Sequence, residues 1–317
     1  MRVSAFLMSY PPDRMVGAEL MSAELLEALV DAGHSVTVYA DLVQEAYTRN
    51  GVYVQPRSTF NRMQRTADLV YSHPDLGTIG YIVSQLHKIP YVAVVHNTGD
   101  LNRWHLPRHV PTLTVWNSES TREVLGGSGG IVCRPPLRIK DHKAKPGEAF
   151  TLVNLSEAKG INTFLAVAQA LPEFKAMAVA GGYGLQAKAQ AAKVGAEVVG
   201  PVPHSQMAAQ VWAKTKVLLV PSREESWGRV AAEALASGIP VIAHPTPGLL
   251  ECLGEAGIFI DREDHETWAT EVKALMADDK HYKAASKRSV ARARSLDTAT
   301  AQDLVAFVKA CEALVGL

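Results

Sequence analysis

Cysteine is scarce in this sequence: Cys133, Cys252 and Cys311 are its only three among 317 residues, far apart and without metal or redox spacing. No disulfide framework fits that pattern, and the three read as reduced, buried thiols of a cytoplasmic chain. Net charge is lacking too, since 32 basic residues balance 32 acidic ones. No broad field therefore draws nucleic acid or an anionic membrane to the surface. No apolar run reaches the roughly 18 residues of a membrane span. The opening MRVSAFLMSYPP stops its short apolar stretch at a double proline, which reads as a first strand rather than a signal peptide. No Gly-x-Gly-x-x-Gly follows that strand, and Gly181-Gly182-Tyr183-Gly184 is a poor substitute, which disfavours a nicotinamide-dependent dehydrogenase. An Asp-x-Asp pair and a His/Cys ligand cluster are also missing, so no metal is expected. No repeat of 20–50 residues appears, which excludes solenoids and propellers.

What is present is an alternation of β-branched runs with longer amphipathic segments, the pattern of parallel sheets with crossover helices. Strands are predicted at 3–8, 35–40, 69–72, 91–96, 113–117 and 131–134, with a helix over 18–32 closed by Gly33. The pattern restarts with strands at 150–155, 175–180, 198–199, 216–220 and 241–244, and a helix over 161–171. Lys88-Ile89-Pro90 before a strand in the first half is echoed by Gly238-Ile239-Pro240 in the second. The expected architecture is α/β: two Rossmann-like, doubly wound domains facing across a cleft. Residues 1–138 form the first domain and 139–148 a charged linker. Residues 149–296 form the second domain, and 297–317 a helix packing back on the first. Ligands of open sheets bind beyond the carboxyl ends of the strands.

The segment 216–240, KVLLVPSREESWGRVAAEALASGIP, carries the chemistry. A buried strand ends at Pro221, a loop follows, and a helix starts near Gly228 and is closed by Gly238. The backbone N–H groups around Ser226, Trp227, Gly228, Arg229 and Val230 make an anion site suited to a diphosphate. Glu225 in the loop and Glu233 on the helix bracket that site, and a carboxylate accepts hydrogen bonds from paired sugar hydroxyls.

The pattern Pro-Ser-x-x-Glu-x-x-Gly-x-x-x-x-Glu-Ala, at Pro221, Ser222, Glu225, Gly228, Glu233 and Ala234, resembles the family-4 retaining glycosyltransferases of the GT-B fold. The resemblance runs nearly end to end. It includes the glycine-containing loop 9–19 with Gly17, the turn Leu155-x-x-x-Lys159-Gly160, the loop of Pro247, Gly248 and Glu251, and the strand start at Gly257. It implies a glycosyl transferase, retaining and metal-independent, with a UDP-, GDP- or ADP-linked sugar as donor and no obligatory cofactor. By resemblance Glu225 contacts the donor sugar, Glu233 the ribose, and Lys159 the leaving diphosphate, with His96 beside the donor sugar. One departure is plain: where the family has an arginine five residues before the lysine, this chain has Asn154. Arg229, at a position usually apolar in the family, is the expected substitute, ahead of Arg223.

The acceptor, whether glycan, lipid, protein or other, has no clear signature. Arg103, Trp104, His105, Arg108 and His109 read as a loop facing an anionic or sugar-rich acceptor or plain solvent. Arg57, Arg62 and Arg65 near Phe60 and Met63 suggest a small amphipathic surface for peripheral membrane contact. Ser118 reads as a helix cap. The competing readings are an epimerase or phosphorylase of the same fold, which the seven-residue glutamate spacing disfavours, and a nucleotide-sugar-binding subunit that is weak or inactive and acts with a partner, for which Asn154 speaks.

Overall fold

A computed structural model of the chain describes residues 1–12, 17–182 and 184–317. It divides into two compact units, Met1–Pro136 with Thr300–Leu317, and Leu137–Ala299.

In the first unit the apolar runs form β1 (Arg2–Leu7), β2 (Ser35–Ala40), β3 (Tyr47–Arg49), β4 (Val52–Pro56), β5 (Leu69–Ser72), β6 (Tyr91–Val95), β7 (Leu113–Trp116) and β8 (Ile131–Val132). They line up as β3-β4-β2-β1-β5-β6-β7-β8, parallel except for the β3–β4 pair. The continuous apolar character of β1, β5 and β6 follows from helices covering both faces of such a sheet. These are α1 (Gly17–Asp31), α2 (Gly77–His87), α3 (Asp100–His105) and α4 (Glu119–Val124). One core joins Leu7, Leu25, Leu29, Val38 and Val94 with Phe307 and Cys311 of the C-terminal helix, and another gathers Phe6, Tyr39, Val70 and Tyr91. Ser118 caps α4, its hydroxyl accepting from the Thr121 amide at 3.0 Å.

Two readings of this unit change. The stretch between 41 and 68 carries a hairpin, β3–β4, turned by Asn50 and Gly51 at φ 46° and 80°. The residues around Arg103 are a helix, and His105 is 1% exposed, stacked on His109 with centroids 4.4 Å apart. Its burial pushes the imidazole down to about 4, while Trp104 stays exposed beneath the Arg108 guanidinium. Nearby, Arg57 is paired with Asp41 and Phe60 packs on Phe6 and Tyr39, whereas Met63 is exposed.

The second unit opens with α5 (Ile139–His142) and continues with β9 (Ala149–Val153), α6 (Ile161–Ala170), β10 (Ala176–Val179), α7 (Lys188–Lys193), β11 (Glu197–Val199) and β12 (Thr215–Val220). Then come α8 (Arg229–Ala236), β13 (Val241–Ala243), α9 (Pro247–Leu253), β14 (Gly257–Phe259), α10 (His265–Ala277) and α11 (Asp279–Leu314). The sheet order is β11-β10-β9-β12-β13-β14, all parallel, with an apolar core on each face. The stretch 139–148, read as a linker, is built into this unit. Lys140, Asp141 and Lys143 face solvent while His142 between them is buried, and Gly147 and Ala149 donate to the carbonyls of Thr215 and Lys214. The surface charges of α5 hid its one buried position. The helix read at the end of the chain is the last part of α11, a single helix of 36 residues that begins at Asp279. All three cysteines are free and buried, as their scarcity suggested. Among the described residues no helix is long and apolar enough to cross a membrane.

Candidate active site

The site of the second unit is assembled from loops at the carboxyl ends of β9, β12 and β13. After β9 the chain makes a 3-10 turn, Glu157–Lys159; after β12 it runs through Ser222 to Glu225. Main-chain bonds tie these loops together, the Arg223 amide donating to the Ala158 carbonyl at 2.8 Å. Across the junction Lys159 Nζ donates to Glu225 Oε1 at 2.5 Å, and the Ser222 hydroxyl donates to the same oxygen at 3.0 Å. Both charged side chains remain about one-fifth exposed. Arg262, 8% exposed, supports the turn from behind: its Nη2 donates to the Glu157 carbonyl at 3.2 Å, and its amide donates to His244 Nδ1 at 3.2 Å. Nothing in its local sequence marks Arg262 for this task, because the contact joins the end of β14 to a turn a hundred residues earlier.

Gly228 caps α8 at φ 97°, a left-handed conformation that costs a side-chain-bearing residue about 1–2 kcal/mol. α8 begins at Arg229, so the amides of its first turn lie at the end of the helix that carries positive partial charge. Trp227 is 2% exposed with its indole in the core, so only its backbone is available to a ligand. Ser226 is half-buried, and Val230 packs at the edge of the core. Gly248, in the first turn of α9, lies against the backbone of the glutamate loop: an added Cβ would sit 2.3 Å from the Glu225 carbonyl oxygen. Gly248→Ala is accordingly expected to push this loop away and to destabilise by about 1–3 kcal/mol, read as a lower urea midpoint.

Glu233 is 3% exposed. Arg229, one turn earlier on α8, donates from Nε to Glu233 Oε1 at 3.0 Å, and His204 Nε2 lies 2.9 Å from the same oxygen. Burial alone would raise this carboxyl; the His204 hydrogen bond and the charges of His204, His142 and Arg229 outweigh it and hold the group down at about 2. Arg229, expected to substitute for the arginine missing at Asn154, thus has its Nε on the buried carboxylate. The expectation that no His-containing ligand cluster exists is also corrected. His142, His204 and Glu233 bring potential ligand atoms within 4.8 Å of one another, from three elements too scattered to show as sequence spacing.

Asn154 has a structural reason of its own. It is a non-glycine residue at φ 72°, a region that asparagine tolerates better than most residues. Its Oδ1 accepts from the Ser156 amide at 3.2 Å and from Gln186 Nε2 at 2.9 Å, while Gln186 Oε1 accepts from the amides of Leu155 and Gly181, each at 2.8 Å. Gln186, unremarked in the sequence, thus braces the turn.

Gly17 and His96 belong to the first unit. Gly17 begins α1 and is exposed, and residues 13–16 of the glycine-containing loop lie outside the described residues, as does Tyr183. His96 follows β6 with its ring 4.3 Å from that of His73, and burial pushes its imidazole below the ordinary value, with Asp75 partly opposing. Its carbonyl accepts from Asn117 Nδ2 at 3.0 Å.

Residues 137–292 match the family model described as "Glycosyl transferases group 1". The D-inositol 3-phosphate glycosyltransferase of Segniliparus rotundus is 29% identical over 172 residues, 53% of this chain and 34% of that protein. The protein of the same name from Xylanimonas cellulosilytica is 33% identical over 165 residues, covering 48% and 40%. The chain therefore spans only about a third of the length of the first of these curated relatives and two-fifths of the second. Among solved structures, sucrose-phosphate synthase from Thermosynechococcus elongatus superimposes with TM-score 0.82 at 17% identity, covering 99% of this chain and 100% of that one. Anabaena HepE in complex with UDP-glucose does so with TM-score 0.74 at 18% identity, over 99% and 100%. By sequence, residues 137–292 match the group 1 glycosyl transferases, and by fold the chain is a pair of parallel-sheet, Rossmann-like domains of the GT-B kind.

Proposed function

We propose that this protein is a retaining glycosyltransferase of family-4 type that moves a sugar from a nucleotide-diphosphate donor to an acceptor hydroxyl. The observation that carries this reading is the Lys159–Glu225 ion pair beside the start of α8. In the free protein the two charges neutralise each other. On donor binding they separate in function: Lys159 turns to the diphosphate, Glu225 to the hydroxyls of the transferred sugar, and the N-terminal end of α8 to the phosphate oxygens. Glu233, kept ionised in its buried site, accepts from the ribose hydroxyls. The bond from the anomeric carbon to the diphosphate breaks, a bond to the acceptor oxygen forms on the same face, and the acceptor proton passes to the leaving phosphate. Charge growing on that leaving group is met by Lys159 and by the helix terminus, so the reaction calls for no metal. HepE, of the same fold, was solved with UDP-glucose, which makes UDP-sugars the first donors to try.

Asn154 favours a second reading, a donor-binding subunit without turnover: a neutral side chain folded back on its own turn replaces a charge in the phosphate clamp. Incubation with UDP-, GDP- and ADP-sugars and a panel of acceptors, following nucleotide release, separates the two. Release that depends on an acceptor is expected; nucleotide binding without release under any pairing would replace the first reading with the second.

A further inference from the structure

We propose that His142, His204 and Glu233 form a binding site for a divalent transition-metal ion of the zinc class. Two imidazoles and a carboxylate are a ligand set that suits zinc, cobalt or nickel better than magnesium or calcium. Their candidate ligand atoms lie within 4.8 Å of one another. Metal–ligand bonds of about 2.0–2.2 Å place tetrahedral ligand atoms roughly 3.3 Å apart, so modest side-chain rotations close the three onto an ion.

The site is built rather than accidental. His142 is 3% exposed, and its peptide is held on both sides by Ser237, whose hydroxyl donates to the His142 carbonyl and accepts from the Ala144 amide, each at 2.8 Å. The His142 ring lies edge-on to His204 with ring centroids 5.1 Å apart. Its Nδ1 is buried without a hydrogen-bond partner, a deficit that typically costs about 1–3 kcal/mol. One ring nitrogen of His142 is among the clustered ligand atoms, and in a neutral imidazole the nitrogen without the proton offers its lone pair to a metal. Arg229 is the competitor: its Nε occupies Glu233 Oε1. An incoming ion replaces that bond, and the guanidinium, at the rim of the cluster with 12% of its side chain exposed, turns outward. The proposal does not rest on the donor reading, because metal uptake is measured without nucleotide.

The test is titration of the metal-free full chain with cobalt(II), followed by its visible absorption, and with zinc by equilibrium dialysis. Saturable uptake of a single ion per chain is expected. His142→Gln and His204→Gln should weaken it by at least the roughly 10–100-fold that changes even outside the ligand sphere bring. Arg229→Gln should tighten it, a direction that misfolding does not produce. Absence of saturable uptake by the unmodified chain, or equal affinity in His142→Gln, would overturn the proposal.

Discussion

Lys159→Met is expected to lower the turnover of the nucleotide-diphosphate sugar by about 10²–10³-fold, the loss typical of removing a group aimed at developing charge. The fold should barely respond. Lys159 and Glu225 are both partly exposed, and a solvent-accessible ion pair contributes only about 0.2–1 kcal/mol to stability. Glu225 also keeps the Ser222 hydroxyl as a partner when the lysine is gone. The two magnitudes separate the roles. A residue that served the turn alone would lose little rate and some stability, whereas one that opposes charge on a leaving diphosphate loses rate with stability intact. Steady-state kinetics beside a urea titration measures both, and unchanged turnover with a folded variant contradicts the assignment.

Glu233→Ala is expected to act in the opposite proportion, destabilising the second unit by about 3–5 kcal/mol, the range for breaking a buried ion pair by removing one partner. The truncation leaves the Arg229 guanidinium and the His204 ring without the carboxylate that both of them face. The effect depends on pH with a definite sign. The carboxyl sits at about 2 in the folded chain against an ordinary value of 4.5. Its contribution is therefore fully present above pH 4.5 and is lost as the pH falls toward 2. The stability gap between the native chain and Glu233→Ala should narrow over that interval. A gap of constant size from pH 7 down to the acid limit would contradict the ionised, paired state of Glu233. Glu233→Gln, which keeps shape and removes charge, isolates the electrostatic part.

Much of the fold was legible because parallel strands buried on both faces must be continuously apolar, and those runs stand out between amphipathic helices. The hairpin of β3 and β4 was also announced, by Asn50-Gly51, a dipeptide suited to a two-residue turn with both residues at positive φ. The stretch 139–148 looked like a linker because its composition is charged, yet it is built into the second unit by buried His142, by Ile139 and Ala144 against the core, and by main-chain bonds to Lys214 and Thr215. At the site, Glu225, Lys159, Gly228 and Gly248 were legible because each stands in a local motif. The ring of groups around Glu233 was not, since His142, His204 and Arg229 converge only after folding. Asn154 is a further case: set against the family it resembles it reads as a missing charge, and the structure adds that it takes a left-handed turn and bonds to Gln186 and Ser156.

The central claim is that the loops around α8 hold a nucleotide-diphosphate sugar. A crystal structure of the full chain with a UDP-, GDP- or ADP-sugar tests it most directly. The account predicts the diphosphate on the first amides of α8 and on Lys159 Nζ, Glu225 released to the sugar hydroxyls, and Glu233 on the ribose. A nucleotide bound elsewhere, with the Lys159–Glu225 pair still closed, would contradict it.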